Sequence, residues 1–506
     1  MTATARGARQ LVSELTAPDR ALRMEAYDAV EAFLEARTPE GRLRAWFGAA
    51  PGRITLRTAS LLLARDMAEI DRLLNDQVNA ILHHDRFRRL EGSWRGLLYL
   101  VDQVHLVRDR ETQDVKVRVL DLSWKALSRD LERAIEFDQS QVWRKVYDDE
   151  FGAPGGEPYG VLLGDYEVAH RPYAGHPIQD VDVLEKFSHV AAAAFAPFLV
   201  GAAPALLGLD GFADLERPID LERTFSQVEY TRWKTLRKSQ DSRFVGVVLP
   251  RVLARQPYRD DVARNDGFRF IEQVDDPDGN GYVWTTAVYA FGAVLVSAFV
   301  ESGWLASIRG VPRNAVGGGV VRGLPVHAFG TDAPGIATNY STDVLVSDEF
   351  EKELSDHGLI ALCPLKFTTL SAFYGNPSLQ LPERYDDEIA NANARMSAML
   401  QYIFCCSQFA HYIKVLGRDR IGSLATAEDC QNPLHNWLMQ YTTSNDGASL
   451  ATKARYPLRE AQVQVRELPG KPGSYSCIVH LRPHFQLDQA VSAVRIVTEL
   501  APVSTS

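Results

Sequence analysis

The C-terminal run Leu458–Leu500 constrains the fold more tightly than any other part of the chain, because apolar and polar residues alternate there in three consecutive segments. The first segment, around Ala461–Val465, has the period-2 pattern of a half-buried strand. A turn rich in Pro and Gly follows at 469–473, and the segment Tyr475–Leu481 alternates again. The pattern predicts a β-hairpin.

A third strand is predicted at Ala490–Thr498, close to the end of the sequence. A terminal strand exposes unpaired N–H and C=O groups unless another segment covers them. This strand can pair within its own domain or with a neighbouring molecule. The pattern leaves both possibilities open.

Composition excludes several classes of partner. The 506 residues carry 65 acidic and 55 basic side chains, a formal net charge of −10, and such an acidic chain is poorly suited to neutralising nucleic-acid phosphates. No apolar run approaches the roughly 20 residues of a membrane span, and the first residues lack the apolar core of a signal peptide. Five cysteines without a CxxC pair are typical of a reducing cytoplasm.

The fold class predicted from the order of elements is mixed α/β, with central sheets flanked by helices. We divide the chain into an N-terminal helical accessory region (1–60), a helical connector (61–109), an α/β domain (110–335) and a C-terminal domain (336–506). Strands are predicted at Val115–Val119, Tyr159–Leu163, Leu305–Arg309 and Asp343–Val346, and one long helix at Ile389–Leu416.

Motifs for catalysis or metal binding are not found. The sequence has no GxSxG elbow or HExxH pair, and Gly317-Gly318-Gly319 lacks the Lys and Ser/Thr of a phosphate loop, which favours a flexible surface loop. On the predicted long helix, His411 could neighbour Cys405 or Ser407 one turn back, but core packing is the favoured interpretation. We therefore predict no catalytic residue, cofactor or metal. An α/β enzyme with a site around Gly164–Tyr166 and His411 is the remote alternative.

Several motifs together resemble the large sheath subunit of type VI secretion systems, the family called TssC, VipB, ImpC or EvpB. The resemblance covers the chain from about residue 60 to the end. It is carried by the segments Ala68–Leu98, Phe151–Pro158, Gly164–Glu167, Ala191–Phe198, Asp241–Gly246, Leu249–Arg251, Ala410–Lys414, Ile421–Ser423 and Arg482–Phe485.

The resemblance implies a structural protein with a contractile-tail-sheath-like fold. Members of the family pair with a small subunit (TssB or VipA) and polymerise in the cytoplasm around an inner tube of Hcp, on a baseplate. Contraction of the sheath then propels the tube. A sheath from a phage tail or a phage-derived injection particle is the alternative within the same class.

The resemblance also assigns residues to assembly. Family members exchange extended terminal strands between neighbouring copies, which implies an inter-subunit strand carrying Val491, Val494, Arg495, Ile496, Val497 and Thr498. Leu11, Val12 and Leu15 correspond to a helix that docks the small subunit or a ClpV-type recycling ATPase. Pro18 and Pro51-Gly52 interrupt the helical connection usual there, which argues against ClpV recognition.

Overall fold

The computed structural model describes residues 8, 19–48, 55–108, 115–152, 155–259, 268–274, 281–311, 317–327, 339–366, 368–420, 427–445, 447–467, 475–484 and 494–500. The chain divides into two compact units. The first comprises residues 1–87 and 257–274, and the second comprises residues 88–256 and 275–506.

The first unit is helical, with α1 (Arg20–Glu35), α2 (Pro39–Phe47) and α3 (Leu56–Leu82). Thr38 and Thr55 cap α2 and α3 by accepting backbone N–H groups of the first turn. Trp46 of α2 packs its ring 5.0 Å from that of Phe33 and donates its indole N–H to Asp66 at 3.0 Å. These contacts hold the three helices together.

Two asparagines on α3 fix the segment 268–274 along the helix. Asn75 donates to the carbonyl of Arg269 at 2.8 Å and accepts from the N–H of Ile271 at 2.9 Å. Asn79, one turn later and buried, repeats the pattern with the carbonyl of Ile271 and the N–H of Gln273. The i, i+4 spacing puts both amides on one face of α3.

The second unit is α/β, and its helices are α4 (Asp85–Arg108), α5 (Trp124–Arg133), α6 (Gln141–Trp143), α7 (Asp149–Phe151), α8 (Asp180–Ala194), α9 (Leu221–Ser226), α10 (Thr231–Lys238), α11 (Val288–Ser302), α12 (Asp348–Asp356), α13 (Glu388–Ser397), α14 (Leu400–Arg420), α15 (Ala427–Met439) and α16 (Leu450–Arg455). A π-helical turn, Arg144–Asp148, joins α6 to α7. The first three residues of α4 belong to the first unit.

The central sheet has six strands in the order β1-β2-β3-β7-β8-β6: β1 (Leu162–Val168), β2 (Phe198–Ala202), β3 (Val245–Leu249), β6 (Val320–Val321), β7 (Leu359–Pro364) and β8 (Ser371–Phe373). The first four are parallel, and β8 and β6 are antiparallel additions. A separate two-stranded pair joins β4 (Val252–Leu253) to β5 (Trp284–Thr285).

Alternate residues of the buried strands face two different cores. Val200, Val247 and Ala361 contribute to the core under α5, α8, α10 and α12. Leu199, Val248 and Ile360 contribute to the opposite core, which is filled by α11 and the first turn of α14. A parallel sheet with both faces covered matches the predicted α/β class.

Several predicted elements differ from the structure. Val115–Val119 is not a strand: Lys116 and Arg118 instead form ion pairs with Glu157 and Glu150. At the predicted strand Leu305–Arg309, the N–H of Leu305 donates to the side chain of Gln408 at 3.2 Å, and no strand forms there.

The predicted strand Asp343–Val346 is also absent, and Asp343 donates its N–H to the carbonyl of Arg251 in a loop contact. The predicted helix Ile389–Leu416 is two helices, α13 and α14. It breaks because the Ala398 carbonyl accepts from the N–H of Ser378, and Leu400 donates to the carbonyl of Asn376.

The predicted loop Gly317–Gly319 is partly buried. Gly319 donates its N–H to the carbonyl of Gly310 and accepts from the N–H of Phe373, beside β8. A Cβ on Gly319 would overlap the Phe373 carbonyl oxygen. The glycine therefore serves close backbone packing.

Candidate assembly interface

The C-terminal sheet contains three antiparallel strands in the order β11-β10-β9: β9 (Leu458–Glu467), β10 (Tyr475–Pro483) and β11 (Val494–Leu500). The predicted hairpin is confirmed, with Cys477 opposite Val465 and Leu481 opposite Ala461. β11 pairs with the other edge of β10 over seven residues, from Tyr475 opposite Leu500 to Leu481 opposite Val494.

The two edges of β10 use alternate residues. The N–H of Val465 donates to the side chain of Gln431 at 3.1 Å, so this residue of β9 points its backbone away from β10. In an antiparallel pair, two opposite residues direct their backbone groups either both toward each other or both away from each other. Val465 points away from β10, so its opposite residue Cys477 points away from β9 and directs its backbone groups to β11. The same parity applies to Val479 and Leu481. Together with Tyr475, which has this parity too, these are the β10 residues whose backbone groups require β11 or an equivalent strand.

One face of the sheet closes an apolar core. The inward side chains of β9 and β10 are buried against α14 and α15, together with Trp304; they are Leu458, Ala461, Val463, Val465, Cys477, Val479 and Leu481. The alternation over Ala461–Val465 and Cys477–Leu481 fixes the register, because a slip of one residue would turn these apolar side chains to solvent.

The predicted inter-subunit strand falls only partly within the described residues. Val494, Arg495, Ile496, Val497 and Thr498 lie in β11, where they pair with β10 of the same chain. Val491 lies outside the described residues, as do Leu11, Val12 and Leu15 of the predicted docking helix. Pairing of β11 with a neighbouring copy in an assembly stays a prediction.

An exposed apolar stripe on α3 is a second candidate interface. Its members recur at spacings of three, four or seven residues and face one side of the helix: Leu56, Leu63, Met67, Ile70, Leu74 and Ile81. All but Ile70 are exposed. Asn75 and Asn79, which hold the segment 268–274, project from the opposite side, so the contacts within the first unit leave the stripe open to solvent.

The sequence indicates this helix by its apolar periodicity but not the exposure of its stripe. Leu73 and Val78 also recur at helical spacing, but they are partly covered. Counting in heptads over residues 63–81 separates the exposed stripe from Leu73 and Val78, because a seven-residue repeat selects a narrower apolar face than the full helical pattern.

His411 and Cys405, the side chains considered above for a catalytic role, are both packed in the core. His411 Nε2 lies 2.8 Å from the carbonyl oxygen of Ala194, and burial lowers the His411 pKa to about 4. Cys405 is buried, and burial raises its thiol pKa well above the ordinary value, which suppresses the thiolate. The predicted core packing of both residues is confirmed.

Acidic and other ligand-type side chains form no group of three or more suited to a metal ion within the described ranges. The acidic residues Asp275, Asp276 and Asp278, which follow one another closely in the sequence, lie outside these ranges. Among the helices that the structure describes, none is long and apolar enough to cross a membrane.

Comparison with known proteins places the fold and its terminal sheet in one class, the contractile tail sheaths. Residues 64–380 match the VipB family model, described as the EvpB/VC_A0108 tail sheath N-terminal domain. Residues 389–500 match the companion model of the tail sheath gpW/gp25-like domain. The chain belongs to the VipB/EvpB tail sheath family, and the predicted resemblance is confirmed.

A curated relative agrees with this assignment. The type VI secretion system sheath protein TssC1 of Pseudomonas aeruginosa is 39% identical over 437 residues, which cover 86% of this chain and 85% of the relative. The cryo-EM structure of the anti-feeding prophage baseplate contains a chain that is 11% identical, with a TM-score of 0.32, covering 70% of this chain and 73% of that one.

Proposed function

We propose that this chain is the large subunit of a type VI secretion contractile sheath, which pairs with a small sheath subunit and polymerises around an inner tube in the cytoplasm. The observation that carries the proposal is membership of the tail sheath family together with the terminal strand β11, which lies at the edge of its sheet. The role is mechanical and uses no catalytic group. The similarity to a type VI sheath protein favours this assignment over a phage tail or injection particle.

In the assembled sheath, β11 of one copy pairs with β10 of a neighbour. Removal of β11 from its own sheet would leave the backbone groups of Cys477, Val479 and Leu481 unpaired, and an identical strand from a neighbour satisfies them with the same register. The ten Cα–Cα steps from His484 to Val494 span at most about 35 Å, which is enough to reach an adjacent subunit. Such exchange joins copies without new side-chain chemistry.

The small subunit docks on the apolar stripe of α3. Leu63, Met67, Leu74 and Ile81 are exposed, and a helix with a matching stripe would bury them in a two-helix seam. The N-terminal region 1–60, including Leu11, Val12 and Leu15, extends this docking surface. Its interruptions at Pro18 and Pro51 argue against a ClpV-type ATPase as a further partner.

The remaining partners follow from the sheath role: an Hcp tube inside, a baseplate at one end and further copies of the chain. In the proposed domain division, the regions 61–109 and 110–335 form the sheath wall, and 336–506 carries the linking strand.

Co-production with the small sheath subunit encoded beside it, followed by electron microscopy, tests the proposal. We expect co-purification of the two chains and hollow tubules of regular diameter. A chain that stays monomeric in the presence of the small subunit and forms no tubules would contradict the sheath assignment.

A further inference from the structure

A cluster of aromatic rings encloses Lys414 of α14. Its Nζ lies 4.7 Å from the ring centroid of Phe195 and 5.1 Å from those of Tyr147 and Phe151. The same Nζ donates to the Tyr147 hydroxyl at 3.5 Å. Within the described residues, no carboxylate lies at ion-pair distance from Lys414. The rings therefore supply the stabilisation that a carboxylate usually gives a partly buried ammonium.

Phe195 reaches this cluster through an unusual backbone conformation. It ends α8 with φ 51° and ψ 34°, and it is the one non-glycine residue with positive φ in the described ranges. The left-handed conformation is unfavourable for a residue that carries a side chain, because its Cβ comes too close to the following carbonyl oxygen. Strain of this kind persists where the surroundings hold it in place, and here it closes the cage around Lys414.

The end of α8 adds two further contacts with α14. His411 lies one turn before Lys414 and binds the Ala194 carbonyl, and its ring contacts both Phe151 and Phe195. The carbonyl end of a helix carries partial negative charge, which favours a cation beside it. Burial lowers the pKa of Lys414 to about 8, so the amine is still mostly protonated at neutral pH.

These residues come from different parts of the chain and from both matched family domains. Tyr147, Phe151 and Phe195 belong to the domain over residues 64–380, and His411 and Lys414 to the domain over 389–500. Three sequence segments that carry the family resemblance, at Phe151–Pro158, Ala191–Phe198 and Ala410–Lys414, thus supply every member of the cluster except Tyr147.

We propose that Lys414 is a positioning residue. Its ammonium is held among the rings of Tyr147, Phe151 and Phe195, and it locks the domain over residues 389–500 onto the domain over residues 64–380. The linking strands lie in one domain and the wall of the sheath in the other. The lock makes the two domains move as one body when neighbouring copies pull on β11. This consequence rests on the proposed sheath function, whereas the lock itself does not.

Hydrogen exchange of the full chain tests the lock directly. The N–H groups of Phe195 and Ala196 bond to the carbonyls of Ala192 and Ala191 at the end of α8, so they report its opening. We expect Lys414→Met to accelerate their exchange about tenfold or more, and Lys414→Arg to stay close to the parent chain, because a guanidinium also binds aromatic faces. Lys145→Met is the matched control, since Lys145 lies in the same π-helical turn as Tyr147 but its side chain is exposed.

A second pair of variants covers the case in which Lys414→Met does not fold. Tyr147→Leu removes one ring of the cage and is expected to accelerate the same exchange, whereas Tyr147→Phe keeps the ring and is not. Unchanged exchange in Tyr147→Leu, or in a folded Lys414→Met, overturns the proposal.

The same variants separate the lock from the sheath role. With the small subunit present, Lys414→Met is expected to form heterodimers but few long tubules, and Lys414→Arg to restore them. Normal, contracting tubules from Lys414→Met overturn the positioning role. Failure of the parent chain to form tubules counts against the sheath function alone.

Discussion

The N–H of Val465 donates to Oε1 of Gln431 at 3.1 Å, which joins the outer edge of β9 to helix α15. By strand parity, Ala461 and Val463 point their backbone groups to the same edge. A side chain thus takes the place of a neighbouring strand at one point of this edge, which limits uncontrolled pairing with other chains.

Gln431→Leu removes this acceptor and leaves the Val465 N–H without its partner. We expect a loss of about 1 kcal/mol in the free energy of unfolding, measured by chemical denaturation. Gln431→Glu keeps an acceptor oxygen and serves as the control. Equal stability of Gln431→Leu and the parent chain would show that the bond contributes nothing.

Deletion of 491–500 tests the role of β11. The core under β9 and β10 does not depend on this strand for its register, so we expect the truncated chain to fold and to bind the small subunit. Long sheaths should be lost, because Cys477, Val479 and Leu481 then have no strand from a neighbour. Tubules of normal length, seen by electron microscopy, would refute strand exchange.

Leu74→Asp places a charge in the centre of the α3 stripe. Leu74 is 45% exposed, so the change should alter the melting temperature of the isolated chain little. Binding of the small subunit, measured by co-purification or calorimetry, should fall at least tenfold, since burying an unpaired carboxylate is costly. Leu61→Asp is the control on the opposite side of the helix, where Leu61 is also exposed.

Arg251→Met strands a buried carboxyl group. Arg251 Nε lies 2.8 Å from Asp343 Oδ2, and the Asp343 side chain is only 5% exposed. Losing the cation leaves the carboxylate uncompensated, and we expect about 3 kcal/mol of destabilisation at pH 8. The double variant Arg251→Met/Asp343→Asn should recover part of it, whereas losses that simply add would disprove the coupling.

The same pair predicts a dependence on pH. Burial raises the pKa of Asp343 to about 6, against the opposing effect of Arg251. The folded state therefore holds this proton more tightly than the unfolded state, and acidification relieves the cost of the buried charge. The effect of Arg251→Met on the unfolding free energy should be smaller at pH 5 than at pH 8.

His189 should show the opposite kind of dependence. Its Nδ1 lies 2.6 Å from Asp241 Oδ2, and this hydrogen bond raises the His189 pKa. The stabilisation is complete below the pKa of the unfolded histidine, near 6.5, and is lost as the pH rises through the higher folded value. Asp241→Asn should lower the melting temperature more at pH 6 than at pH 9, and a constant difference would contradict this.

Sequence patterns correctly predict the strands and helices that have one apolar face and one polar face. The alternation over β9 and β10 gives the correct hairpin, and the predicted helical connector at 61–109 contains most of α3 and all of α4. These patterns fail at Leu305, where the side chain of Gln408 takes the hydrogen bond that a neighbouring strand would have made. They also fail at Ala398, where a backbone hydrogen bond from Ser378 ends one helix and divides the predicted helix in two. Those contacts join residues distant in sequence, and local periodicity carries no record of them.

The sequence by itself determines the α/β class, the family and the presence of a terminal strand, because each depends on local pattern or on motifs in order. Tertiary structure decides which edge of β10 the terminal strand occupies within the chain, which side of α3 stays exposed, and how Phe195 meets Lys414. The physical reason is that exposure, edge pairing and a cation's surroundings depend on what packs against each residue from elsewhere in the chain. The run Leu458–Leu500 illustrates both contributions. Its alternation of apolar and polar residues determines the strands, whereas only the folded sheet shows that Cys477, Val479 and Leu481 are among the residues whose backbone groups pair with β11.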